Sequence, residues 1–333
     1  IVVRLVGSEM CIRDSAGADP GPACYGKGGQ QVTVTDANVV LGRLQPDFAL
    51  GGSLALDVPA AEQAMDRLAQ ALGLTRQQAA DGVLALANEH MTQALRVISI
   101  QKGFDPADFA LMSFGGAGGL HVCALADNLG MTQAIVPQRA GVLSAEGLVY
   151  APRKREMLQA LPEQVDEPLL HERIAQLQQQ GQAELIAEGV SADRIRHRVF
   201  VDMCYRGQSS VLQIDWEPTL ADRETGFHTA HQQRFGHQLG LPVEQVNLRV
   251  QSQAQNSPPA QPDRHTRSAS AERLITLPGI DTPVAVYNRE SLGAGQRIAG
   301  PALIYEAVGT TWLAADWHAT VDSQGHLLLQ RKA

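Results

Sequence analysis

Between Val58 and Gly103 the apolar residues recur at helical spacing. Ala61, Met65, Leu68 and Leu72 form one face, and Val83, Leu84, Leu86, Ala87, Met91, Leu95 and Ile98 form a second. Two helices are predicted, with Gly73 placed to end the first. The second is apolar enough to lie largely buried. The next block reads FALMSF (109–114), GGAGG (115–119), LHVCALADNLG (120–130) and AIVP (134–137). That order is strand, glycine turn, helix, strand, a unit that belongs to an α/β sheet and carries its ligand at the loop beyond the strand end.

Upstream, Val32 and Val34 alternate with threonines, which predicts a short strand ending at Asp36-Ala37-Asn38. Asp36 and Asn38 there either cap the helical turn of Val39 to Leu41 or face a ligand. Downstream, a Gln-rich amphipathic segment (167–188) precedes strand-like text at 196–207 and 210–216, a helix near 222–236 and an alternating stretch at 246–255. The polar, Pro-containing run 256–270 reads as an exposed loop or linker. Beyond it LITLP, TPVAVYN, PALIYE, TTWLAA and HLLLQ predict short strands, a small β module. There is no internal repeat and no heptad pattern.

Composition narrows the function classes. A chain of 333 residues with 44% hydrophobic content has enough apolar material for one or two cores. Its formal charge of -8 leaves no basic excess to hold a polyanion, so nucleic acid is not an expected partner. No stretch approaches the roughly 18 consecutive apolar residues of a membrane span. The four cysteines, Cys11, Cys24, Cys123 and Cys204, are too far apart for a CxxC-type pair. Reduced cytosol suits them, and Cys123 and Cys204 read as small buried apolar residues. The first fifteen residues, IVVRLVGSEMCIRDS, lack the features of a signal peptide. LVGSEMCIRDS reads as a translated sequencing-library adaptor, which places the genuine start near Ala16 with coding sequence lost upstream.

The glycine run is the sharpest chemical signal. Glycines let a ligand approach the backbone, and the start of the following helix favours a negative or strongly polar group. Gly116 and Gly118 begin a GxG, but His121 stands at the third glycine position and no GKS or GKT follows. Pattern alone therefore leaves two readings of Gly115, Gly116, Ala117, Gly118 and Gly119, a tight structural turn or a nucleotide-facing loop. His121 opens the helix and is either a structural residue or a group near the ligand. His228, His231 and His237 fall at helix-compatible intervals without an acid or cysteine at metal spacing, so a solvated helix face is expected. Ser209 and Ser210 have no GxSxG context.

Four stretches together carry a resemblance: SAGADPGPACYGKGG with VTVTDANVVLGRL, SFGGAGGLHVCALADNLGM with VPQRAGVLSAEGL, DMCYRGQSSVLQI, and GPALIYE with the late strands. The chain resembles the hydantoinase A/oxoprolinase family, of which one acetone carboxylase subunit is also a member. The resemblance runs from about Ser15 to the C-terminus. It implies an α/β fold, part of an actin-like ATPase of the acetate kinase, sugar kinase and actin type over residues 16–155. An α+β C-terminal domain over 156–333 would follow, ending in the small β module.

The same resemblance implies ATP and Mg2+ as cofactors, with Gly115 to Gly119 lying against the adenosine. It implies ATP-driven opening of a cyclic amide or imide by a cytoplasmic enzyme, and a B-type subunit as partner in trans. The catalytic groups are expected mainly in an upstream half, so this chain alone is expected to be inactive; within it the candidates are Asp36, Asn38 and His121. An ATP-dependent carboxylase subunit of the acetone carboxylase kind, or a non-catalytic nucleotide-binding module, is the alternative. Gly119 stands where many hydantoinase-like members have Pro, and Leu120 where oxoprolinases usually have Gln, so the subclass is left open.

Overall fold

Short-range hydrogen bonds start the first helix. The computed structural model describes residues 17, 19–48, 55–162, 165–255 and 268–332. The adaptor reading of residues 1–15 and most of the 256–270 run lie outside them. The strand expected at Val32 to Thr35 is instead the start of helix α1 (Val34–Val40). The Thr33 side chain accepts from the Asp36 N–H at 3.2 Å, and the Asp36 carboxylate accepts from the Thr33 N–H at 2.9 Å. This reciprocal cap satisfies two otherwise orphaned donors and overrides the weak strand preference of four alternating residues. Helices α2 (Val58–Leu72) and α3 (Arg76–Ile98) stand where the apolar spacing puts them. Gly73 ends α2 in the left-handed conformation (φ 68), and Thr75 with Gln78 repeats the reciprocal cap at the start of α3. Ala64, Met65 and Ala69 of α2 pack with Ala80, Val83 and Leu84 of α3 in one apolar cluster.

Strand β1 (Leu111–Met112), helix α4 (Gly118–Asn128) and strand β2 (Gln133–Val136) form the expected strand, turn, helix, strand unit. β1 and β2 are parallel, with Leu111 opposite Ala134 and Met112 opposite Ile135. A parallel pair needs a crossover, and α4 supplies it. Helix α5 (Leu143–Tyr150) follows.

By compactness the chain divides into residues 1–146 with 260–333, and residues 147–259. The second unit holds β3 (Lys154–Ala160), α6 (Glu167–Ala187), β4 (Ile195–Tyr205), β5 (Leu212–Asp215), α7 (Leu220–Phe235) and β6 (Val243–Ala254). Its sheet is antiparallel in the order β3-β6-β4-β5. Val201, Met203 and Tyr205 of β4 alternate onto the core face, where Ile214 and Phe227 meet them. Asp202 points the other way and is held by the Arg249 guanidinium and the Asn247 amide, each at 3.1 Å. Gly181 of α6 lies so close to β6 that an added Cβ would sit 2.4 Å from the Ser252 hydroxyl.

The tail then returns to the first unit as β7 (Arg273–Ile275), β8 (Val284–Asn288), β9 (Arg297–Ala299), β10 (Ala302–Glu306), β11 (Gly309–Leu313), β12 (Trp317–Val321) and β13 (Leu327–Arg331). These strands divide between two sheets, one of which also takes in β1 and β2. β13 pairs antiparallel with β2, Leu329 opposite Ala134, and completes a five-stranded sheet in the order β1-β2-β13-β12-β9. The rest form a four-stranded sheet, β11-β10-β8-β7. Compactness therefore divides the chain at different points from the boundary at residues 155 and 156 that the family resemblance implies. α4 divides its buried residues between two cores. Val122, Cys123 and Ala126 pack with residues of β2, β12 and β13, and Leu120 packs with Val286, Leu303 and Trp312.

Candidate functional site

The glycine turn is built by three segments far apart in sequence. After β1, the Ser113 N–H donates to the Ile135 carbonyl at 2.9 Å, and Gly115 then turns the chain with φ 84, a conformation glycine adopts at little cost. The Gly115 N–H donates to the Ala140 carbonyl at 2.8 Å, and the Thr310 N–H donates to the Gly116 carbonyl at 3.3 Å. Gly141 holds the 140s loop against the strand-to-strand turn beyond β10, since an added Cβ there would lie 1.9 Å from the Val308 carbonyl oxygen.

The five residues of the run have different jobs. Gly119 is buried against β11, and a Cβ on it would stand 2.7 Å from the Thr310 carbonyl oxygen and 3.0 Å from Thr311 Cα. A Cβ on Gly118 would meet the Ser113 hydroxyl at 2.8 Å. Gly116 and Ala117 are exposed, and Ala117 gives α4 no side-chain cap. The exposed backbone lies at Gly115 to Ala117, although a Cβ on Gly116 would meet the Val308 carbonyl oxygen at 3.0 Å, and tight packing governs Gly118 and Gly119. Ser113, 7% exposed, has beside this turn a hydroxyl without a hydrogen-bond partner among the described residues.

Asp36 is fully buried, and its carboxylate accepts four hydrogen bonds, from the N–H groups of Ala23, Cys24 and Thr33 and the hydroxyl of Thr33, at 2.8 to 3.3 Å. Its oxygens tie the DPGPACY loop to α1. Asn38 is buried two residues on, its amide donating to the Val34 carbonyl at 3.0 Å while its Oδ1 has no partner among the described residues. Of the two roles open to this pair, Asp36 has the capping one.

His121 is 6% exposed, with Nδ1 2.7 Å from Asn88 Oδ1 on α3. Thr92 donates to the Asn88 carbonyl, and Asn128 donates to the Thr92 hydroxyl, so a short polar chain staples α3 to α4. Burial, reinforced by the Arg43 guanidinium, pushes the His121 imidazole down to about 4. It is therefore neutral near pH 7. Arg43 lies 5.1 Å over the Trp312 ring, and burial lowers its own pKa. Sequence pattern did not single out Ser113, Arg139 or Gly141 by role, although the stretch VPQRAGVLSAEGL held two of them. Arg139 adopts a left-handed backbone (φ 57), rare for a residue with a side chain, and its guanidinium lies 3.6 Å from Glu146.

The three described cysteines are buried and free, and burial raises the Cys123 thiol to about 12. Cys11 lies outside the described residues. Among the described residues no group of three or more His, Cys, Asp or Glu side chains converges, so no side chain here is assigned to Mg2+. No helix among them is long and apolar enough to cross a membrane.

Residues 3–156, which span the capped α1, the glycine turn and α4, match the family described as Hydantoinase/oxoprolinase. The chain belongs to this family. Among hydantoinase/oxoprolinase relatives, caprolactamase subunit alpha of Pseudomonas jessenii is 34% identical over 332 residues, covering 92% of this chain and 47% of that protein. The crystal structure of the ATP-dependent caprolactamase from Pseudomonas jessenii superposes with a TM-score of 0.78 at 33% identity, covering 96% of this chain and 49% of that one. Acetone carboxylase in its nucleotide-free form superposes with a TM-score of 0.74 at 26% identity, covering 93% and 48%. The mixed α/β architecture is thus shared with both enzymes. The chain spans about half the length of these relatives.

Proposed function

We propose that the protein containing this chain is the ATP-binding subunit of a cyclic amidohydrolase that opens hydantoin, 5-oxoproline or related lactam or imide rings. The observation that carries this reading is the turn itself. Left-handed Gly115 and exposed Gly116 and Ala117 leave a strip of uncovered backbone at the start of α4, in a family that includes an ATP-dependent caprolactamase. That strip fits the flat face of an adenosine, which approaches closely only where no side chain intervenes. The unpartnered Ser113 hydroxyl beside it is a candidate polar contact.

ATP supplies a phosphoryl group to the amide oxygen, which turns an unreactive carbonyl into one that water attacks. After water adds to that carbon, the ring C–N bond would break as the nitrogen takes a proton, and a second water would cleave the acyl phosphate left behind, releasing phosphate with the former amide oxygen and leaving a carboxylate. Within this chain Gly115 to Ala117 bind and orient the nucleotide, His121 braces α4, and Asp36 fixes the loop before α1. Mg2+, a B-type partner subunit and a cytoplasmic setting belong to the same reading.

The test is to express the full reading frame with its neighbouring partner gene and follow phosphate release from ATP. Release that depends on caprolactam, 5-oxoproline or hydantoin supports the amidohydrolase. A second reading, an ATP-dependent carboxylase subunit, is favoured by the likeness to acetone carboxylase. Phosphate release that ignores every ring but requires bicarbonate and a ketone would select it. Nucleotide binding with no turnover under either regime would leave a non-catalytic module.

A further inference from the structure

The apolar run Phe109 to Phe114 (FALMSF) is longer than the strand it forms. Only Leu111 and Met112 are laddered, β2 is their one partner among the described residues, and β1 stands at the end of the five-stranded sheet. The Ser113 and Gly115 N–H groups turn inward, to the Ile135 and Ala140 carbonyls. Backbone groups of successive strand residues alternate in direction, so the N–H groups of Met112 and Phe114 turn outward, to the free edge. Proteins blunt such an edge with charge, proline or a covering element. This edge instead carries Phe109, Met112 and Phe114, each more than half exposed.

Apolar surface borders the edge on both faces of the sheet. On one face Phe109 and Leu111 join Leu95, Ile98, Phe104 and Met131 along a groove of about 320 Å³ whose lining holds no charged residue. On the other, the register sets Met112 beside Ile135 and Ile135 beside Leu328. Met112 and Leu328 in that row are exposed and Ile135 is half-buried. Parallel strands are ordinarily buried on both faces, and β1, parallel to β2, is not.

The proteins that superpose on this chain are about twice its length, so a protein of this family has about as many residues again from which to supply the missing neighbour. An uncharged groove gives a strongly acidic or basic partner nothing to pair with, and copies of a chain with formal charge -8 repel one another. We infer that an extended apolar segment of the same protein, from the part these 333 residues do not span, adds as a strand along Phe109 to Phe114. Its main chain takes up the outward N–H groups of Met112 and Phe114, while its alternate side chains enter the groove on one face and lie against Met112 on the other. Such a strand ends beside Gly115, which brings the rest of the protein to the glycine turn. The inference uses neither ATP nor ring chemistry, so it stands or falls apart from the amidohydrolase reading.

The test is hydrogen–deuterium exchange at single-residue resolution, comparing the 333-residue chain with the full-length protein expressed alone. The amides of Met112 and Phe114 should exchange at least about tenfold more slowly in the full-length protein. That of Ser113, bonded to Ile135 in both, should stay slow in each. Met112→Pro removes an outward donor and no bond to β2. In the full-length protein it should return Phe114 to the rate seen in the 333-residue chain and leave Ser113 protected. Equal rates for Met112 and Phe114 in the two unaltered proteins would overturn the inference, whether or not Met112→Pro folds. Protection that appears in the 333-residue chain as its concentration rises, together with dimers by light scattering, would assign the edge to a second copy. Protection of the full-length protein only after a separate subunit is added would assign it to that subunit, and either result overturns the same-chain assignment.

Discussion

Gly119→Ala separates the two explanations for the glycine run. If Gly119 is small because α4 packs on β11, its new methyl group meets the Thr310 carbonyl oxygen at 2.7 Å and Thr311 Cα at 3.0 Å. Both are backbone atoms of a strand paired with β10, with Thr311 opposite Ile304, so they cannot turn aside as a side chain would. Overpacking of this kind costs about 1–3 kcal/mol. With a urea slope of about 2 kcal/mol per molar, a loss of about 2 kcal/mol lowers the unfolding midpoint by about 1 M. The internal control is Gly82→Ala, in the middle of α3, where an added Cβ meets nothing within 4 Å. There the helix preference for alanine should raise stability by about 0.8–1.0 kcal/mol. Urea titrations by tryptophan fluorescence in a Trp216→Phe background report on the unit that holds Trp312 and Trp317. The packing argument is refuted if G119A unfolds at the wild-type midpoint and only loses ATP affinity in the full-length protein.

Three further outcomes follow from the same geometry. Asp36→Ala strips the partner from four buried donors, so it should cost about 3 kcal/mol or more; thermal unfolding checks this, and an unchanged midpoint would mean the loop finds other acceptors. For His121 the folded pKa is near 4 against 6.5 for the free side chain. The unfolded chain therefore binds the extra proton between those values, and stability falls as pH drops from about 6.5 to 4, by about 3 kcal/mol in all. His121→Gln should flatten that part of the stability–pH curve, and an imidazole resonance that titrates near 6.5 would contradict the burial argument. Phe104 and Phe109, each 54% exposed, border an apolar groove of about 320 Å³ with Leu95, Ile98 and Met131. An environment-sensitive hydrophobic dye should brighten on this chain and do so less on Phe109→Ser, and equal brightening would place the dye elsewhere.

How much of this was legible in the sequence varied with the range of the interaction involved. α2 and α3 were readable because their periodicity persists over several turns and Gly73 marks a stop. α1 was misread because two valines alternating with threonine look like a strand, whereas the reciprocal Thr33–Asp36 hydrogen bonds decide the matter. The late strands were visible one by one, but not their destination. That β13 pairs with β2 depends on contacts between residues such as Leu329 and Ala134, and no local pattern encodes it. Likewise His231 has the spacing of a surface histidine, and only the packing of Tyr205, Phe227 and Phe235 around it makes it a buried one.

The candidate site follows the same rule. A glycine-rich run announces a turn, yet it does not say which glycines are small for a ligand and which for the protein. The structure divides them by neighbour: Gly119 and Gly141 by backbone of the β10–β11 region, Gly118 by the Ser113 hydroxyl, exposed Gly116 by the Val308 carbonyl oxygen, 3.0 Å from an added Cβ, and Gly115 open. The strip is held through the Ala140 carbonyl and the Thr310 N–H, by two segments that both follow it in sequence. A strip fixed by the chain itself needs little ordering when a ligand arrives, and that saving in entropy appears as affinity. On the proposed function, substitutions at Gly119 or Gly141 weaken nucleotide binding without lying at the exposed surface, by loosening the strip that Gly116 and Ala117 present.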